Sequence, residues 1–340
     1  MGVLQDVIAL VRHARWAGAV PGVRRRAARF VAVFDRVALP VLTRGGADDG
    51  VADEVADVLR ATAVKLAFLA SAYADMARVA LREDLAVLAG AVTRVYDDLV
   101  DHFGGPGVDE RLALRFAGGG FTPANAMEAV FAGLYDEIIA RLDRPPDDPV
   151  FGALARAHAF QVRSREQTSP HIDSATVERI TDGKGGYGMV VLFDVAAGPV
   201  PPQAVGLIHE LGGALQLLDD YQDVDADRAE GVTTSATRGA AGLAEVCARL
   251  RDLAPRLRAC FGDHSPLYAV VYAALWMSFV RRRFPRRARA SRNPLGILLR
   301  RVLPLTAAAP GGRAGVRGGT GTPDRPGAAR RRGGRRGGTP

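Results

Sequence analysis

The sequence predicts an all-α protein, a single large helical bundle of roughly ten helices. Three observations predict it. Almost every segment carries apolar residues at the 3.6-residue spacing of a helix, and no run alternates with the period of two that marks a strand. Val, Leu and Ala dominate the apolar 48% of the chain while aromatic residues make up only 6%, a balance that favours helix over sheet. Glycine and proline mostly stand between the periodic segments.

Taken in order, MGVLQDVIALVRHARW predicts a first helix at about 3–17, and VRRRAARFVAVFDRV a second at about 22–38, which Pro40 ends. Gly45–Gly46 separates these from two long apolar helices at about 51–74 and 76–103. Gly104–Pro106 and Gly118–Gly120 bracket a short helix at about 108–117. Pro145–Pro146 divides helices at about 123–143 and 147–167, and Pro201–Pro202 divides those at about 173–198 and 202–229. The last two, at about 240–262 and 266–284, meet at Gly262.

Charge is unevenly placed. The net charge is +8, yet Arg281–Arg301 contributes nine positive charges and no negative one, and Ala307–Pro340 a further net seven. The remaining body, residues 1–280, is therefore net −8. From Ala307 onward the composition is Gly, Arg, Pro, Ala and Thr, with almost nothing to bury, so a domain over 1–306 and a disordered tail over 307–340 are expected. No aromatics are interleaved with the tail's arginines for base stacking, which argues against specific nucleic-acid binding. Two cysteines, Cys247 and Cys260, make neither a disulfide framework nor a metal knuckle and suit a reduced, cytoplasmic protein. Asp6, Arg12 and Arg15 interrupt the first apolar run, so a signal peptide is not expected of it. The run Pro266–Val280 is 15 residues, short of the roughly 20 that span a bilayer. Arg281–Arg283 behind it leave peripheral contact with a membrane surface open, as is a homodimer.

Two acidic clusters carry the chemistry. In LGGALQLLDDYQDVDADR, residues 211–228, Asp219, Asp220, Asp223 and Asp227 fall within roughly 100° of a helix, with Gln216 among them. No Lys or Arg appears until Arg228, so the stripe repels itself unless a cation neutralises it. Upstream, Asp97, Asp98 and Asp101 form D-D-x-x-D in RVYDDLVDHF, one turn after Arg94. One such triplet is usually a solvated face or a helix-end ion network. Two, 122 positions apart on long apolar helices, suit a hard cation such as Mg²⁺ that binds carboxylate oxygen together with substrate phosphate.

These residues resemble the class I isoprenoid synthases. Arg94–x–x–Asp97–Asp98–x–x–Asp101 is similar to their first aspartate-rich motif, particularly in phytoene and squalene synthases, and Leu211–Gly212–x–Ala214–x–Gln216–Leu217 followed by Asp219, Asp223 and Asp227 to the second. Asp219–Asp220–x–x–Asp223 also resembles the D-D-x-x-D of chain-elongating synthases, and the four-residue steps Asp219, Asp223, Asp227 the metal triad of terpene cyclases. The resemblance covers roughly residues 60–285 and implies a helical bundle around a central active-site cavity, three Mg²⁺ ions and an allylic prenyl diphosphate substrate (farnesyl, geranylgeranyl or longer).

A third segment, Arg179–Ile–Thr–Asp182–Gly183–Lys184–Gly185–Gly186–Tyr187, sets three glycines in a helical stretch, which predicts a kink or break. Terpene cyclases carry a similar Arg–x–x–Asp–Gly at a broken helix. That resemblance implies that Arg179 senses diphosphate, that Asp182 links to it, and that the Gly183 region presents a carbonyl to the ionising carbon. Lys184–Gly185 half matches the diphosphate-holding pair of elongating synthases. The paired Arg and the Gly-Lys-Arg that hold a second diphosphate in elongating enzymes have no counterpart. No Walker loop, G-x-S-x-G or paired His spacing is present.

The expectation is a class I terpene synthase. Asp97, Asp98, Asp101, Asp219, Asp223 and Asp227, with Asp220 as alternate, hold Mg²⁺. Arg179, Lys184 and Arg228 bind diphosphate, Asp182 and Gly183 form the helix-break effector, and Gln216, Tyr96, Phe193 and Tyr221 line the substrate pocket. The alternatives are a prenyltransferase, head-to-head or chain-elongating, and a non-enzymatic helical scaffold with a basic tail.

Overall fold

A computed structural model of the chain describes residues 3–18, 22–44 and 49–284, with side chains omitted over 44–54. The chain divides into two units, Met1–Pro304 and Leu305–Pro340. The expected disordered tail over 307–340 and the arginines from 286 onward lie outside the described residues. Among the described residues there are twelve α-helices, two 3-10 turns, one π-helical turn and no strand. The expected all-α class is what is observed.

The helices are α1 (Val3–Arg12), α2 (Val23–Val37), α3 (Leu39–Arg44), α4 (Asp49–Ala77), α5 (Glu83–Asp98), α6 (Val108–Phe116) and α7 (Ala126–Leu142). They continue with α8 (Pro149–Arg163), α9 (Ser174–Ala197), α10 (Pro202–Glu230), α11 (Leu243–Phe261) and α12 (Ser265–Arg283). Caps set several starts. Asn125 accepts from the Glu128 amide at 2.9 Å, and Asp173 from the Thr176 amide at 2.8 Å. Asp148 accepts from the Val150 amide at 3.0 Å just before Pro149. The fully buried Glu128 carboxylate also accepts from the Gly105 and Ala124 amides and from Arg111, fixing the loops that flank α6.

Three boundaries differ from expectation. The predicted helix at 76–103 breaks twice: Arg78 takes a left-handed φ of 57° between α4 and α5, and a π-helical turn, Leu99–Phe103, follows Asp98. Pro40 does not end α2's segment but sits in the first turn of a separate α3, where its missing N–H costs nothing.

The third difference concerns the expected break at Asp182–Gly186. α9 runs unbroken from Ser174 to Ala197, so there is no broken-helix carbonyl at Gly183. The glycines serve packing instead. A Cβ on Gly185 would collide with the Gly212 carbonyl, one on Gly212 with the Gly185 carbonyl, and one on Gly213 would lie 2.6 Å from the Asp182 carboxylate. α9 and α10 thus cross backbone against backbone, and the helix-propensity cost of glycine, about 1 kcal/mol each relative to Ala, is offset by that contact.

Candidate functional site

A cavity of about 1490 Å³ runs between α4, α5, α7, α8, α9, α10 and α12. Three of its walls change character along their length in the same sense. On α9 the lining passes from Lys184 to Met189, Leu192 and Val195; on α5 from Asp97 and Arg94 to Val92 and Ala89; on α10 from Asp223 and Asp219 to Leu215 and Gly212. One end is therefore acidic with a lysine in it. The rest of the lining is apolar and aromatic, with Phe116 and Phe131 packed beside Tyr96. Near Leu142, Val150 and Val195 at the apolar end, Arg144 pairs with Asp194 and with Asp148 at 3.2 Å, and Arg82 donates to the Arg141 carbonyl at 2.6 Å. These bonds tie the end of α7 to the flanks of α5, α8 and α9.

The two acidic clusters face one another across this end. Burial pushes the Asp97 carboxyl up to about 6; Lys184 opposes the rise, while Asp101 on its own turn and Asp219 on α10 add to it. Burial pushes Asp220 up to about 7, against a 3.3 Å hydrogen bond from Gln216, with Thr181 Oγ1 donating at 3.3 Å to its other oxygen. Asp227 is raised to about 6 by burial and by Asp223 and Asp219, and Asp223 is raised by burial and Asp219. Burial would lower Lys184, yet Asp97, Asp101, Asp219 and Asp220 hold it above its ordinary value, so it stays charged.

The remaining ligand candidates have partners of their own. Arg94 forks onto Asp98 at 2.6 and 3.0 Å, Gln161 donates to Asp101 at 3.2 Å, and Arg281 lies 3.5 Å from Asp223. Among the described residues no three Asp, Glu, His or Cys side chains stand close enough to hold a metal ion as they are. The chemistry of the donor set nevertheless fits a hard divalent cation. The oxygens are carboxylate, they come from two helices, and burial together with their mutual repulsion raises several of their pKa values, the imbalance a cation relieves.

Several predicted residues lie elsewhere. Arg179 is exposed and donates to Thr176 Oγ1 at 2.7 Å; it does not line the cavity. Asp182 pairs with Arg249 of α11 at 2.8 Å, and Gly183 packs beneath the Phe160 ring. Arg228 is exposed, 3.7 Å from Asp225, and does not line the cavity. Phe193 is fully buried and stacks on Tyr73 at 4.2 Å, a core contact rather than a pocket wall. Tyr221 is buried too, donating to the buried Asp6 of α1 at 2.8 Å beneath the Arg282 guanidinium. Both are expected in the pocket as aromatics on core helices; their side chains leave those helices on the core face. Tyr96, Gln216 and Lys184 do line the cavity, with Asp97, Asp219 and Asp223.

The sequence reading missed Lys65 and Arg281, which line the acidic end, and Thr181 beneath Asp220. It also missed His158, Gln161 and Arg165. Their spacing of three and four residues on a mostly apolar segment was the available signal.

No protein-family model matches the sequence, and no curated protein is similar to it. Among solved structures, the crystal structure of a candidate farnesyl-diphosphate synthase from Marinomonas sp. MED121 is similar at 17% identity and a TM-score of 0.45, covering 73% of this chain and 98% of that one. At that distance the site has to be understood from its own residues. No described helix is long and apolar enough to cross a membrane.

Proposed function

We propose that the protein is a Mg²⁺-dependent class I isoprenoid synthase that ionises one allylic prenyl diphosphate and lets the resulting cation cyclise or rearrange, a terpene synthase. One observation carries the reading: a charged lysine enclosed by carboxylates from two helices at one end of a 1490 Å³ cavity whose other end is apolar. Such a site suits an amphiphile with a polyanionic head and a hydrocarbon body.

Asp97, Asp98 and Asp101 would hold Mg²⁺ from α5 and its π turn, and Asp219, Asp223 and Asp227 from α10. The metal would supply Lewis-acid neutralisation of the departing diphosphate. Lys184 donates to the diphosphate oxygens, a fixed charge in a site of low polarity where it counts for more than in water. Val92, Leu192, Leu215 and the lining rings keep water from the allylic cation, and Tyr96, Phe116 and Phe131 offer their π faces to it. Arg179 and Arg228 take no part in this scheme, since each lies off the cavity.

Two observations favour a second reading, head-to-head prenyl transfer. The cavity exceeds the roughly 300–1,000 Å³ of most ligand sites, giving room for two chains. Arg94 and Gln216, which carry the resemblance to that branch, both line it. Incubation with farnesyl and geranylgeranyl diphosphates, with and without isopentenyl diphosphate, separates the readings. A cyclic hydrocarbon and inorganic diphosphate from one substrate alone support the first. A symmetric dimeric hydrocarbon supports the second, and a longer diphosphate only with isopentenyl diphosphate rejects both. No diphosphate release from any substrate in Mg²⁺ rejects the enzyme reading.

A further inference from the structure

The turn that carries Asp101 is a π-helical turn, in which the regular helical bonding of α5 is lost. Asn125 donates to the Phe103 carbonyl at its far end at 3.0 Å, and a stripe of polar side chains supports the part that carries Asp101. His158 and Gln161 on α8 and Arg165 in the 3-10 turn Ser164–Thr168 that continues it stand three and four residues apart. His158 Nε2 donates to the Asp109 carbonyl at 2.9 Å, because a carbonyl can only accept. His158 is held neutral by burial, so its Nδ1 is an acceptor, and the Tyr96 hydroxyl donates to it at 2.7 Å. Gln161 Nε2 donates to the Asp101 carboxylate at 3.2 Å. Arg165 bonds both oxygens of Asp109 and donates at 3.1 Å to the Val100 carbonyl.

His158 and Gln161 are 5% and 2% exposed, so each is a buried polar group that costs stability unless its bonds are made. The three make contact immediately before, within and after the Asp97–Asp101 cluster. We propose that the stripe His158–Gln161–Arg165 positions Asp101 of the π turn for divalent-cation binding, setting its direction relative to Asp97. The proposal rests on the metal reading given above. None of the three is a ligand; they act through Tyr96, Val100 and Asp101. Gln161 fixes the carboxylate that would turn to the cation, and Arg165 fixes the backbone that carries it. Outer partners of this kind are typically worth 10- to 100-fold in metal affinity.

The test is Mn²⁺ binding to the full chain with inorganic diphosphate, read as free Mn²⁺ by electron paramagnetic resonance, so no turnover is needed. Gln161→Leu preserves volume and removes only the amide; Arg165→Met removes the fork. Each is expected to weaken Mn²⁺ binding at least 10-fold with the circular dichroism spectrum unchanged. Arg165→Lys, which reaches Asp109 or the Val100 carbonyl but not both, should fall between. Arg163→Met, whose partner is the exposed Glu166, should bind like the parent. Should the arginine variants not fold, Gln161→Leu alone decides. Parent-like binding by Gln161→Leu, alongside weakened binding by Asp101→Asn, would overturn the positioning role and leave the metal site standing. Parent-like binding by Asp101→Asn as well would remove the metal reading and the proposal with it.

Discussion

Asp220→Asn is expected to stabilise the metal-free protein at pH 8 and to leave it nearly unchanged at pH 5. Asp220 is 9% exposed, lies against α9, and titrates near 7 instead of 3.8. A raised folded pKa means that the fold favours the protonated acid. Its contribution is fully present below the unfolded value of 3.8 and is lost as pH rises through 7. Three units at 1.36 kcal/mol each make the ionised carboxylate cost about 4 kcal/mol, an upper figure because Asp219 and Asp227 share the same field. An asparagine avoids this cost. Gln216 can turn its amide to accept from the new NH₂, so the hydrogen-bond loss should stay near 1 kcal/mol. Urea unfolding in EDTA at pH 5 and pH 8 measures the difference. The carboxylate already costs about 1.6 kcal/mol at pH 5, so after the hydrogen-bond loss the gain should be under about 1 kcal/mol there and about 3 kcal/mol at pH 8. An equal effect at both pH values, or a loss at pH 8, would refute the assignment of Asp220 as a destabilising buried acid. Adding Mg²⁺ and diphosphate should shrink the advantage, because a bound cation stabilises the parent's carboxylates and not the amide.

Lys184→Gln keeps a polar side chain, one atom shorter, and removes the charge between the clusters; diphosphate release should fall by about 10²–10³ in kcat, the usual cost of one fixed donor at developing charge. Phe193→Ala opens a void beneath Tyr73 and should cost about 3–5 kcal/mol in urea unfolding while leaving the products of the surviving enzyme unaltered, since the ring does not line the cavity. Gly212→Ala drives a methyl into the Gly185 carbonyl; a loss of about 1–3 kcal/mol is expected, and an unchanged melting temperature would show that α9 and α10 can part.

Helix positions were legible because amphipathic periodicity is written in the order of residues. α10 extends one residue past its predicted end, and α9 keeps its predicted span but for the residue at each end. What stayed hidden depends on three-dimensional neighbours. Arg78 carries no glycine to announce its left-handed φ, so the second long helix reads as starting at about 76 when α5 begins only at Glu83. Gly183, Gly185 and Gly186 read as a break because a missing side chain looks the same whether the backbone bends there or a ring or another backbone lies against it. The site divided along the same line. The acidic clusters were visible as residue types at a spacing, and the structure brings both to one end of the cavity. Arg179 is expected there from its motif, and Phe193 and Tyr221 as aromatics on core helices; the direction in which each side chain leaves its helix decides otherwise. The α8 stripe went unread because His, Gln and Arg at helical spacing look like a solvated face until burial is known.

The glycine crossing of α9 and α10 has a mechanical consequence. Lys184 and the acids from Asp219 onward ride on two rods with no side-chain layer between them at the crossing point. Nothing compressible separates the rods there, so a load applied to one passes to the other without slack. Lys184 and the α10 carboxylates therefore keep a constant spacing at the acidic end of the cavity, whatever the other walls do.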